Sequence, residues 1–225
     1  ELLIQKILVE RYPDLQRQQT SCHAAHKEGE RIHPCGRCEK CRRIVGMLKA
    51  LGADPSQCGY SPSQIKVALE KLPREGVLQE AAGARHLNFM LAQKGLIDTS
   101  ELPATAIAAH TEILSCRIDL KSSPINSIPS DLRKPLYRIF LKYADGAVLR
   151  SGRSWKKIDV LKDPAMDATY PFEFDPSATD NRASQALKPL AADGYLWGEL
   201  TWRQARARIK KMDVALLPVS SVEQH

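Results

Sequence analysis

Apolar residues recur at spacings of three and four over much of the chain, the period of helices with one buried face. Leu2, Leu3, Ile7 and Leu8 predict helix within residues 1–17, with Tyr12-Pro13 as its stop. Ile44, Val45, Leu48 and Leu51 predict a helix from Arg42 to Leu51, ended by Gly52. Ser61-Pro62-Ser63-Gln64 has the form of a capping box with proline in the first turn. Behind it Ile65, Ala68, Leu69 and Leu72 form a stripe, and Pro73 is expected to close that helix. Residues 77–94 predict another helix, with Gly95 as its stop, and Pro103 to Leu120 reads as one more. Leu136 to Tyr143 fits a helix or a strand. Ala147–Arg150 and Trp155–Leu161 predict a hairpin around Ser151-Gly152. Four prolines make the stretch from Asp163 to Gly194 an irregular connection. Beyond it, Thr201 and Gln204 begin a helix with Trp202, Ala205, Ile209 and Met212 inward, and Val214 to Val219 reads as a buried strand.

Composition narrows the class. The chain has 225 residues, 43% apolar and 26% charged, which is globular composition and excludes wholesale disorder. No apolar run approaches the length that spans a bilayer, and the opening residues do not form a secretory signal, so a cytoplasmic protein without membrane partners is expected. The first residue is Glu, and the chain reads as a piece of something longer. The net charge of +7 fits an RNA or nucleotide partner and equally a soluble basic surface. The densest basic stretch, Arg203 to Lys211, repeats at helical spacing and reads as a solvated helix face.

The cysteines carry the clearest chemistry. Cys22, Cys35, Cys38 and Cys41 cluster in sequence, with Gly36 inside the loop. Thiolates at this spacing sit close enough to share one ion, and four of them match the all-sulfur preference of structural zinc. An iron–sulfur cluster ranks second, because the local pattern resembles ferredoxin runs but lacks the next Cys and its Pro, Ile44 and Val45 standing there. Unliganded thiols rank third. His23, His26 and His33 lie between the ligands and could replace one of them. Cys58 and Cys116 have no partner spacing and read as small buried apolar residues.

Two stretches resemble known families. Ser21-Cys22, then Cys35-Gly36-Arg37-Cys38-Glu39-Lys40-Cys41-Arg42-Arg43, then Gly52-Ala53-Asp54-Pro55-Ser56 resembles the zinc-bearing C-terminal segment of 7-cyano-7-deazaguanine synthase and its relatives. Here Ser56 stands for Thr, the gap after Cys22 is longer, and a helical region follows Asp54-Pro55. The resemblance covers roughly the first quarter of the chain. It implies a structural zinc on Cys22, Cys35, Cys38 and Cys41. It also implies a parent ligase of queuosine biosynthesis on a nucleotide-binding α/β fold. Such a ligase adenylates a carboxylate with ATP, takes up ammonia to give an amide, and dehydrates this to a nitrile. Its Ser-Gly-Gly-x-Asp-Ser phosphate loop has no counterpart here; Ser151-Gly152-Arg153 lacks the second Gly and the Asp. The loop is expected upstream of Glu1.

The tail, Leu196-Trp197-Gly198-Glu199-Leu200-Thr201-Trp202 followed by Val214 to His225, resembles the opening of creatininase-family amidohydrolases. Ser220 stands where that family has Gly. By this resemblance Glu223 and His225 are the first two ligands of a two-metal site, with the remaining ligands beyond residue 225. Alternate residues of an extended chain share a face, which would put this carboxylate and imidazole on one side.

The expected architecture is α/β in the parent and mostly α in this fragment. Residues 1–120 are assigned to a zinc-bearing, ligase-like part with a helical extension, 121–195 to a connection, and 196–225 to the start of a creatininase-like domain. The expected function is that of a fused enzyme acting on a small-molecule substrate, with the fragment itself inactive. Homo-oligomers are expected because creatininase-like proteins commonly assemble. The alternative is a zinc-stabilised module that binds RNA or protein. For that, aromatics should interleave with the basic residues near the metal loop, and none lie between Ser21 and Arg43.

Overall fold

The computed structural model describes residues 1–171, except Ser21, His23, Glu30 and Glu101. The expected helix and strand within residues 201–219, together with Glu223 and His225, lie outside the described residues.

Helices α1 (Leu2–Arg11) and α2 (Pro13–Arg17) meet at Tyr12, where Pro13 cannot continue the first helix. A short antiparallel hairpin follows, β1 (His26–Glu28) and β2 (Arg31–His33). Three longer helices come next: α3 (Glu39–Ala50), α4 (Pro62–Glu75) and α5 (Ala81–Gln93). Beyond them lie β3 (Cys116–Ile118), α6 (Ser130–Tyr143), β4 (Ala147–Ser151) and β5 (Ser154–Ile158). The second sheet has the order β3-β4-β5, parallel between β3 and β4 and antiparallel in the hairpin. The described part is thus mixed helix and small sheet. No helix among the described residues is long and apolar enough to cross a membrane.

Two hydrophobic clusters hold these elements. The first joins Ile44, Val45 and Leu48 of α3 to Ala68 and Leu72 of α4 and to Leu87 and Leu91 of α5. Gly46 lets α3 approach closely: a Cβ there would fall 2.6 Å from Cδ1 of Leu72. The second cluster gathers Cys116 and Ile118 of β3, Ala147 of β4 and Tyr137 of α6 with Ile125, Val160 and Met166. Helix α1 serves both. Leu2 enters the first cluster and Leu3 and Ile7 the second, because successive helical residues point about 100° apart. Leu8, expected on the same inner face, is half-exposed.

The Ser61 box forms as expected. Ser61 Oγ accepts from the Gln64 N–H at 3.2 Å, and Gln64 Oε1 accepts from the Ser61 N–H at 2.8 Å. Ser61→Ala is expected to lower stability by about 1 kcal/mol, read as a reduced midpoint in urea with an unchanged slope.

The structure differs from the sequence expectation in several places. Pro73 does not close α4, which runs to Glu75; near the end of a helix it removes only one hydrogen bond, and buried Leu72 holds the turn. Helix α5 starts at Ala81 rather than residue 77. Residues 103–120 form 3-10 turns and β3, not a helix. There the ladder to β4 outcompetes local helical preference: Cys116 N–H donates to Gly146 O at 2.9 Å, ahead of the paired residues. Through that pairing, residues 116–166 share one core.

Arg133 is fully buried in that core without a carboxylate partner among the described residues. Its Nε donates to Ile128 O at 2.7 Å and its Nη2 to Asn126 O at 3.0 Å. Its Nη1 reaches Ala165 O at 2.9 Å, Met166 O at 3.3 Å, and Ala168 O. One guanidinium thus ties the turn before α6 to the 3-10 turn at Pro164–Met166.

Candidate metal centre

Cys22 lies in the loop after α2, and the β1–β2 hairpin fills most of the long gap to Cys35. The hairpin reverses the chain, so the Cys35 N–H donates to Cys22 Sγ at 3.2 Å. Gly36 then takes φ +70°, a left-handed conformation that disfavours side chains. A Cβ at Gly36 would also meet Gln64 Cγ at 2.3 Å. The tight turn aims the N–H groups of Arg37 and Cys38 at Cys35 Sγ, each at 3.4 Å. Cys38 is the N-cap of α3 and Cys41 lies in its first turn, three residues on and on the same side.

The four sulfurs all lie within 4.8 Å of one another. Cys38 and Cys41 are 3.5 Å apart, Cys22 and Cys38 3.8 Å, and Cys35 and Cys41 3.9 Å. A zinc–sulfur bond of about 2.3 Å in a tetrahedron sets neighbouring sulfurs about 3.8 Å apart. The donor set therefore suits one tetrahedral ion. A cluster of several irons would need its thiolates wider apart than this.

The electrostatics favour a cation once the thiols ionise. Burial raises the pKa of Cys41 and of Cys22. Burial also opposes ionisation of Cys35, but the N–H groups of Arg37 and Cys38 outweigh it and bring that pKa down to about 6. Four thiolates in so small a volume repel one another strongly unless a divalent ion lies among them. The positive N-terminal end of α3 adds to the attraction for negative sulfur.

Sequence reasoning missed two supports. Tyr60, 3% exposed, hydrogen-bonds Cys41 through its hydroxyl, and burial keeps that phenol neutral as a donor. Gln64 Nε2 donates to Pro34 O at 3.1 Å, tying the α4 cap to the metal loop. The only sequence trace of these roles is the short Gly59-Tyr60-Ser61 link before α4.

The structure brings Cys22, Cys35, Cys38 and Cys41 together and leaves the described histidines out. His26 and His33 stack across the hairpin, ring centroids 5.9 Å apart, and neither belongs to the four-sulfur group. His23 lies outside the described residues. Cys58 and Cys116 are buried as expected, and burial pushes both thiols up to about 11. Cys58 is held by Gln16, whose Nε2 donates to its sulfur at 2.7 Å.

Two basic residues of this segment, Arg42 and Arg43, are internal links. Arg42, 7% exposed, pairs with Glu75 and donates to Gly76 O. Arg43 bridges Glu39, Glu1 and the Leu78 carbonyl. Asp54 accepts from Ser56 N at 3.0 Å and Ser56 Oγ at 2.6 Å, capping the turn Pro55–Cys58. Ser151-Gly152 forms the bend between β4 and β5. Comparison of the chain with family models, with curated proteins and with solved structures finds no match in any of the three.

Proposed function

We propose that this chain is the zinc-bearing portion of a fused amide-bond enzyme. In this reading a ligase part similar to 7-cyano-7-deazaguanine synthase precedes a creatininase-like amidohydrolase part. The observation that carries it is the closed set of four thiolates at tetrahedral spacing, followed by the capped Asp54-Pro55-Ser56 turn. Four protein donors leave no open coordination position, so the ion is structural and does not act on substrate. Its work is to fix the start of α3 against the loop from Cys22 to Cys38. ATP and the acceptor carboxylate would be handled by residues outside this chain. Glu223 and His225 would begin the second metal site.

The reading is tested on the longer parent protein. With ATP, ammonia and 7-carboxy-7-deazaguanine, AMP is expected to accumulate together with the amide or nitrile, and elemental analysis is expected to give zinc bound to this chain. AMP formation that stays at background would overturn the ligase reading; full zinc content in that case would leave the structural site standing alone.

A further inference from the structure

The β3-β4-β5 sheet turns one side to its core and carries an unusual set on the other. Cys116, Ile118, Ala147, Leu149 and Ile158 share the core side by strand alternation. The opposite side carries Arg117, Val148, Arg150, Trp155 and Lys157. Arg150 lies directly across from Trp155, and Val148 is paired with Arg117 on one side and Lys157 on the other. The guanidinium carbons of Arg117 and Arg150 lie 5.4 and 5.7 Å from the Trp155 ring centroid.

Trp155 is half-exposed and belongs to neither hydrophobic cluster. A large aromatic outside the core forgoes the burial that normally places it. From Ala147 to Ile158 the chain holds Arg150, Arg153, Lys156 and Lys157 and no acidic residue. Glu80 pairs with Arg117, and Asp119 lies 3.8 Å from Arg150, which steadies both guanidinia over the ring. Arg153, Lys156 and Lys157 make no ion pair among the described residues. Lysines also guard an edge strand against stray pairing, which accounts for Lys156 and Lys157 but not for the tryptophan.

We propose that this sheet face binds single-stranded nucleic acid, with phosphates on Arg150, Arg153 and Lys157 and a base stacked against Trp155. Aromatic rings among cations are the recurring means of holding unstacked bases, because every base offers a π-face and every linkage a charge. A duplex keeps its base faces covered, and an acidic peptide would use the cations without the ring. The proposal stands on the sheet alone and is independent of the ligase reading.

The test is fluorescence anisotropy of a short labelled single strand, as RNA and as DNA, titrated with the full chain at two salt concentrations. Binding that weakens with salt is expected for at least one of the two. Trp155→Ala is expected to weaken it by roughly 5- to 100-fold. Arg150→Gln combined with Lys157→Gln is expected to reduce the salt slope by about 1.4, about 0.7 for each lost phosphate contact. Circular dichroism melts and metal content verify folding, and the Arg150/Lys157 pair decides the matter if Trp155→Ala melts early. The basic stretch Arg203 to Lys211 could bind nucleic acid by itself. Affinity indifferent to these sheet substitutions would therefore overturn the proposal. So would the absence of binding, or tighter binding to duplex or to polyglutamate than to single strands.

Discussion

If the four thiolates hold zinc as proposed, Cys38→Ser is expected to abolish zinc binding and to unfold the region around the metal loop. Cys38 sits 3.5 Å from Cys41 and 3.8 Å from Cys22, so its loss opens the tetrahedron at the point where α3 begins. Metal binding contributes about 10–16 kcal/mol in small zinc-dependent folds, as much as the whole stability of an ordinary domain, about 5–15 kcal/mol. Here the α3–α4–α5 core supplies part of the stability, so a loss of about 5 kcal/mol is a measured expectation. That corresponds to a fall in Tm of about 10–20 °C for a chain of this size class. Elemental analysis and a thermal melt check it. Cys58→Ser, which alters a buried thiol outside the four-sulfur group, should keep its zinc. A Cys38→Ser protein with full zinc and an unchanged melt would refute the assignment.

Arg133→Met should cost about 1–3 kcal/mol, the penalty for leaving buried acceptors without their donor. The side chain fits by volume, but the carbonyls of Asn126, Ile128, Ala165, Met166 and Ala168 lose their donor in the interior. Arg133→Lys should recover little, since an ammonium has three donors on one point and cannot span carbonyls that approach from several sides. Urea denaturation reads the loss. Zinc content should stay intact, because Arg133 packs in the core that does not contain the sulfurs. A change within about 0.5 kcal/mol, the range of ordinary surface substitutions, would mean that the guanidinium does not hold these turns together.

The local signals of the sequence translated well wherever the information was itself local. The box at Ser61 and Gln64, the stripe of α3, the stop at Gly95 and the bend at Ser151-Gly152 each depend on residues a few positions apart. The four sulfurs were legible for the same reason, since three of them lie within seven consecutive residues. Long-range competition was not legible. Nothing within residues 103–120 announces that Cys116 will find Ala147 some thirty positions on and become a strand. Helix α6 likewise passes through Pro135, with Arg133 and Tyr137 buried on either side. The support of Cys41 by Tyr60 was hidden because a tyrosine after a glycine carries no motif.

The hairpin that bridges Cys22 and Cys35 has one more consequence. Its strands are exposed, its histidines take no part in the sulfur cage, and its two ends are pinned together beside the four sulfurs. Residues 23–34 thus behave as a loop whose closure is charged to the metal rather than to the core. Doubling such a loop adds only about 0.6 kcal/mol of closure entropy, a roughly threefold weaker hold on the ion. The site is therefore a permissive point of insertion. The segment can be lengthened, shortened or given new surface chemistry at little cost to the cage beneath it.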